Sequence, residues 1–204
     1  MAQTSPAPEA STTHFQWSRH NAQELSRSNT IQSSSEILPD EKAALIEAVA
    51  EQIRPYTSYL QIGSESELYN IAAKTRIELV DLNEDGITEV LAQANDSKAG
   101  CGATGNCSFW VFQRSGTTFQ KILDSRCKDG VGGIQLFTIN PSRMNGFHDI
   151  VLADDVSTPE STLRVYRYRD GQYRQTECYK ANWISTKDNQ LRRLENPELT
   201  PCAR

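Results

Sequence analysis

The stretch Asp81-Leu82-Asn83-Glu84-Asp85-Gly86-Ile87-Thr88-Glu89 sets oxygen-bearing side chains at alternate positions. Asp81, Asn83 and Asp85 converge on one point if the backbone curls around it, and Gly86 admits the sharp turn that such a curl needs. The carbonyl of Ile87 and the carboxylate of Glu89 would complete an all-oxygen shell for one hard cation, calcium. The competing reading is a plain acidic Asn/Asp/Gly turn between two strands, which needs no metal to exist.

Counting from Asp81 separates the ways of using such a loop. An EF-hand requires a bidentate Glu at position twelve and a helix on either side; here position twelve is Ala92. The flanks Ile77-Glu78-Leu79-Val80 and Val90-Leu91-Ala92-Gln93 are short β-branched and aliphatic runs that suit strands. The order strand, D-x-N-x-D-G-x-x-E loop, strand resembles the FG-GAP or VCBS-type repeats of integrin-like β-propeller proteins. The resemblance implies one calcium ion held by Asp81, Asn83, Asp85, the Ile87 carbonyl and Glu89. It also implies a secreted binding or adhesion module whose partner is a protein or carbohydrate at the cell envelope.

The elements around the loop follow from periodicity. Leu45, Ile46, Val49 and Ile53 recur at helical spacing, and Arg54-Pro55 closes the pattern, so an amphipathic helix is expected over 39–54, packed on a sheet. From residue 74 onward short strands alternate with Gly, Asn and Asp. Two units align there. The first, 74–125, runs through Ile77 to Val80, Gly86 to Ala92, Phe109 to Phe112 and Phe119 to Leu123. The second, 133–178, runs through Gln135 to Thr138, Gly146 to Ala153, Leu163 to Tyr166, and Tyr173 after an Asp170-Gly171 turn of type I′.

In the second unit Asn140, Ser142 and Asn145 stand where the first has Asp81, Asn83 and Asp85, and Asp149 is its single carboxylate. Neutral oxygens make a poor calcium site, so one ion is expected and not two. Two blades cannot close a propeller. The expected fold is mainly β, with two blade-like four-stranded antiparallel units forming an open curved sheet or small sandwich, closed by the helix and by a C-terminal segment, 179–204. Residues 36–204 would make this one domain. Residues 1–35 are rich in Ser, Thr, Gln, Ala and Pro, and are expected to be a disordered tail in which Phe15 and Trp17 are the exceptions. Met1 to Pro8 reads as the start of an exported protein after loss of its leader.

Composition excludes several classes. A net charge of -5 argues against a nucleic-acid partner, and no apolar run is long enough for a transmembrane helix. The five cysteines contain no C-x-x-C pair and read as disulfides. Cys101 and Cys107 bracket a short Gly-Ala-Thr-Gly-Asn loop; Cys178 pairs either with Cys202 or with Cys127. Disulfides favour an oxidising compartment, secreted or periplasmic. Only three histidines occur, two of them in the expected tail, and no nucleophile motif or phosphate-binding glycine loop is present, so an enzyme is not expected. A hydrolase with an unrecognised carboxylate pair is the third reading.

A possible binding face remains. Strand alternation points Arg164, Tyr166 and Tyr168 to one side, with Trp110 and Phe112 at matching positions of the first unit. If these aromatics form one exposed patch, the adhesion module gains support. If they are buried and the Cys101 to Cys107 loop projects, the gain goes to a small secreted inhibitor or protein-interaction domain.

Overall fold

The computed structural model describes residues 17–18, 20–126, 133–154, 159–187 and 190–203. The chain is mainly β. The described residues form two antiparallel sheets in which sequence neighbours pair. Sheet one has four strands: β1 (Arg76–Val80), β2 (Glu89–Gln93), β3 (Phe109–Ser115) and β4 (Thr118–Asp124). Sheet two has five: β5 (Leu136–Met144), β6 (Phe147–Asp154), β7 (Glu160–Arg169), β8 (Gln172–Lys187) and β9 (Gln190–Pro201).

The expected helix forms as α1 (Pro39–Ile53). Pro39 sits at its first turn, where a missing N–H costs nothing, and the Glu41 carboxylate reaches back to accept from Leu38 N at 3.0 Å. A second helix, α2 (Glu65–Ala73), lay outside the sequence expectation. Its signal was Ser64 followed by Glu67: the Ser64 hydroxyl accepts from Glu67 N at 3.1 Å and the Glu67 carboxylate accepts from Gly63 N at 2.9 Å.

Strand alternation sorts the side chains into three cores. In β3, Trp110 and Phe112 point under the helices, with Leu45, Val49, Ile53, Leu68 and Val90. Phe109 and Val111 point the other way, into a core shared by both sheets with Leu91, Leu123, Phe137, Ile150 and Leu152. In β6 and β7, Val151, Ala153, Leu163 and Val165 turn to the far side of sheet two, where Tyr179, Trp183 and Trp17 cover them. Both sheets are therefore buried on both faces over their central strands, which extends the expected sandwich to a helix layer, two sheets and an outer covering.

Three expectations are corrected. The loop expected at Asn140 to Asn145 is strand: β5 continues to Met144, with a register irregularity between Ile139 and Arg143, and only the turn Asn145-Gly146 remains. Both of those residues have positive φ, 52° and 87°, as do Asp170 and Gly171, 51° and 78°, which is the backbone of a type I′ turn. Second, the C-terminal segment does not close the sandwich. β8 runs across the expected boundary at 178 and pairs with β9, so the segment widens sheet two. Third, the part of the expected tail that the structure describes is docked. Trp17, Leu25 and Ile31 are 4%, 1% and 0% exposed, Gln23 and Phe137 exchange backbone hydrogen bonds at 2.8 and 3.1 Å, and Ile31 N donates to Thr75 O at 3.0 Å. A few well-spaced apolar residues and edge pairing suffice to order a polar segment, which mean composition cannot register. Residues 1–16, with Phe15, lie outside the described residues.

Leu25→Ala is expected to destabilise the protein by about 2–5 kcal/mol, as for a fully buried leucine. Chemical denaturation checks the value, and hydrogen exchange checks that the amides of Gln23 and Ile31 are protected in the wild type.

Candidate functional site

The acidic loop joins β1 to β2 and folds on itself. The Asp81 carboxylate accepts from Asp85 N at 3.2 Å and Gly86 N at 2.8 Å, and the Asp85 carboxylate accepts from Ile87 N at 2.7 Å. Asn83 accepts from Asp85 N at 3.1 Å and donates to the Asp85 carboxylate at 2.9 Å. Gly86, with φ of 86°, makes the turn. Leu82 is fully buried and plugs the inter-sheet core, so the loop's base is fixed while its acidic rim stays at the surface. Sheet two holds the loop from the other side: Leu82 O accepts from His148 N at 2.8 Å, and Glu84 pairs with Arg143 and with His148. His148, read from sequence as a solvated turn residue, is a bridge between the two hairpins, its ring also bonded to Asn140 O at 2.8 Å.

Glu89 is the unusual member. It is 1% exposed, and its carboxylate accepts from Leu82 N at 2.9 Å. Burial pushes its carboxyl above the usual carboxylate range, and the charges of Asp85 and Asp81 add to the rise. Among the described residues no basic side chain neutralises it. The matching position of the second hairpin makes the comparison: Asp149, 2% exposed, receives Arg167 Nε at 3.1 Å and the Ser142 hydroxyl at 2.8 Å. A guanidinium balances the buried carboxylate there. In the first hairpin the equivalent carboxylate faces two more acidic groups and Asn83.

That donor set fits a hard divalent cation. Asp81, Asn83, Asp85, the Ile87 carbonyl and Glu89 are all oxygen donors, and the buried Glu89 lacks a balancing charge. Among the described residues no three or more His, Cys, Asp or Glu side chains are already grouped to hold a metal, because Asp81 and Asp85 are turned onto the loop's own amides.

The other expected site residues are placed as follows. Cys101 and Cys107 are bonded, with Cα atoms 3.9 Å apart, and Cys178 is bonded to Cys202, which ties the end of β9 to β8. Cys127 lies outside the described residues. The expected aromatic face does not exist. Trp110 and Phe112 are fully buried beneath the helices, whereas Tyr166 and Tyr168 belong to the inter-sheet core, and Tyr168 stacks on Phe147 at 3.8 Å. A bulge between Val165 and Tyr166 redirects the strand. Arg164 is spent on Asp154, at 2.7 Å.

Sequence reasoning missed a cavity of about 380 Å³ between the helix layer and the disulfide loop. Tyr56, Tyr59, Trp110 and Arg126 line it on one side, and Gly102, Thr104 and Asn106 on the other. Tyr59 is 81% exposed, and residues 102–105 of the loop are exposed as well. Arg126 lies over the rings of Tyr56 and Trp110, at 4.8 and 5.6 Å, and is held by a forked ion pair to Asp124. The Trp110 indole N–H has no hydrogen-bond partner among the described residues. The sequence signal was the run Tyr56-Thr57-Ser58-Tyr59 after the helix, aromatics in a polar connection with no pattern to bury them.

No family model and no curated protein matches this chain. One solved structure is similar over part of its length. It is described as a Xanthomonas type IV secretion system related protein, 16% identical, with a TM-score of 0.36 over 59% of this chain and 58% of that one. A likeness of that size carries neither fold nor function. None of the described helices is long and apolar enough to cross a membrane.

Glu89→Gln is expected to raise stability at neutral pH in metal-free buffer. A carboxyl whose folded pKa is raised contributes stability below its unfolded value, about 4.3, and loses it as pH rises through the folded value. The variant's advantage should therefore shrink as pH falls toward 4, which melting curves across that range will check.

Proposed function

We propose that this chain is a non-catalytic protein-interaction domain of the inhibitor type, stabilised by one calcium ion and working in an oxidising compartment outside the cytosol. The observation that carries the reading is the projecting Cys101 to Cys107 loop, which shares a cavity with the exposed Tyr59. A short loop closed by a disulfide loses little entropy on binding, and an exposed tyrosine beside a concave, partly aromatic wall is the type of anchor that dominates protein interfaces. The adhesion-module reading would gain from an exposed aromatic sheet face; Trp110, Phe112 and Tyr166 are buried, so that face lends it no support. The disulfides support the compartment.

Calcium belongs to the stability of this domain. The loop sits between β1 and β2 as the resemblance to FG-GAP-type repeats expects, and Leu82 at its base packs between the sheets, so an ion there would brace both. The ion's role would be to draw together and neutralise the carboxylates of Asp81, Asp85 and Glu89. Extracellular sites of this kind have dissociation constants of about 10⁻⁴ to 10⁻³ M. At about 1 mM free calcium, linkage then gives roughly 0.4 to 1.4 kcal/mol.

Calcium at that concentration is expected to raise the melting temperature by about 1 to 5 °C. Asp85→Ala should abolish the rise. Asp149→Ala should lower the melting temperature by itself, because it removes one of the two carboxylates that hold Arg167, Glu177 being the other, and yet keep the rise. A wild-type melt that is identical in calcium and in chelator, together with no heat on titration, would falsify the calcium part.

The interaction surface is tested by crosslinking the intact chain to the envelope fraction of its source. Tyr59→Ala should weaken recovery of the specific partner by about tenfold or more, with an unchanged melting temperature, since Tyr59 supports nothing in the fold. Equal capture by wild type and Tyr59→Ala would refute this surface, and displacement by oligosaccharide alone would make the partner a carbohydrate.

A further inference from the structure

On the other side of the same disulfide, the structure holds a buried arginine that forms no ion pair among the described residues. Arg76 opens β1 and is 8% exposed. Its Nη2 donates to Ala94 O at 3.0 Å and lies 3.7 Å from Cys107 Sγ, while its Nε has no hydrogen-bond partner among the described residues.

The other largely buried arginines show how this fold treats such a charge. Arg114 meets Glu41 at 3.3 Å, Arg126 meets Asp124 at 2.5 Å, Arg164 meets Asp154 at 2.7 Å and Arg167 meets Asp149 at 3.1 Å. Arg76 has no carboxylate within ion-pair distance among the described residues. An arginine cannot escape the cost of burial by losing its proton, so an unpaired one is retained against a desolvation penalty.

Arg76 faces a cavity of about 430 Å³, distinct from the one beside Tyr59, lined also by Arg27, Gln93, Asn95, Gln135 and Glu24. Gln93, 2% exposed and opposite Arg76 in the β1–β2 register, is held by its Nε2 on Ile134 O at 2.9 Å. The wall is thus preformed around the guanidinium. Two arginines against one glutamate leave a single positive charge, which one negative charge balances. The planar fork of a guanidinium matches a carboxylate bidentately, and amide side chains around it supply further donors and acceptors.

We propose that the Arg76 cavity is a binding site for a single carboxylate group, carried by a small organic acid or by the C-terminus of a peptide. Arg76 supplies the buried half of the ion pair through its guanidinium, and Arg27 draws the anion to the mouth. Phosphate is disfavoured, because its second charge would face Glu24 uncompensated. The site stands on Arg76 and its cavity alone and does not depend on the interaction surface at Tyr59.

The test uses the full chain labelled with ¹⁵N, reading the Arg76 Nε–H resonance. The probes, at constant ionic strength, are sodium acetate, a short neutral peptide with a free C-terminal carboxylate, the same peptide as its C-terminal amide, and inorganic phosphate. The expected result is a saturable shift with the free-acid peptide or with acetate, and binding at least about tenfold weaker for the amide and for phosphate. Acetate equal to the peptide assigns the site to small acids; a peptide preference assigns it to chain termini. Arg27→Gln, a surface change that leaves the fold intact, should weaken binding several-fold, and Arg76→Gln should abolish it. The proposal is overturned if the Arg76 Nε–H does not move with either carboxylate probe, if the amide binds as well as the free acid, or if phosphate binds best.

Discussion

Sheet one is buried on both of its faces, and most of what this protein can do follows from that constraint. In β3, Phe109 and Val111 enter the core between the sheets while Trp110 and Phe112 lie under α1 and α2. A strand covered on both sides has no face for a partner, so recognition is confined to loops, cavities and rims. Two cavities flank the Cys101–Cys107 disulfide, where the helix layer ends and sheet one meets the segment leading into β5. Backbone hydrogen bonds between Cys107 and Ile134, at 2.9 and 3.0 Å, join the disulfide loop to that segment and keep the region stiff.

The same constraint raises the cost of every charge near the interior, and the chain meets it in different ways. Asp149 pairs with Arg167 across sheet two, and Arg167 also pairs with Glu177. Asp124 and Arg126 pair at the edge of sheet one, where the pairing with Arg126 and Lys121 holds the Asp124 carboxyl below the usual range although burial opposes it. Glu89 and Arg76, a buried acid and a buried base at opposite ends of the β1–β2 hairpin, have no such counterpart among the described residues. Glu89 lies beneath an oxygen-rich loop and Arg76 beside a polar cavity. Burial pushes the two groups in opposite directions, the acid upward and the base downward, as desolvation of a charge requires.

The acidic loop and the hairpin turn opposite it share a structural task. Leu82 anchors the first, His148 the second, and Glu84 spans the gap through Arg143 and His148. The sequence reading treated Asn140 to Asp149 as a loop that had lost its ligands. The structure shows a strand with a tight turn, because β5 stays paired to β6 on both sides of the irregularity at Ile139. Loss of acidic residues there accompanies loss of the loop itself.

Much of the fold was legible locally. Short apolar or alternating runs mark β1 to β4 and parts of β5 to β7, the helical spacing of Leu45, Val49 and Ile53 marks α1, Asp170-Gly171 marks a type I′ hairpin, and the spacing of Cys101 and Cys107 marks their bond. Each is a property of residues near one another in sequence, where backbone geometry decides. Which side of a strand meets what is decided elsewhere. The unbroken run Phe109-Trp110-Val111-Phe112 is itself the mark of a strand buried twice over, yet only the packing of α1 and α2 on one face and sheet two on the other shows that Trp110 cannot reach a ligand-binding surface with Tyr166. The docking of Trp17, Leu25 and Ile31, and the lack of an ion pair to Arg76 among the described residues, likewise depend on chain segments far apart in sequence. Local sequence determined the elements and the chemistry of the acidic loop; only tertiary packing decided which charges are balanced and which surfaces are free, because desolvation and ion pairing depend on neighbours in space.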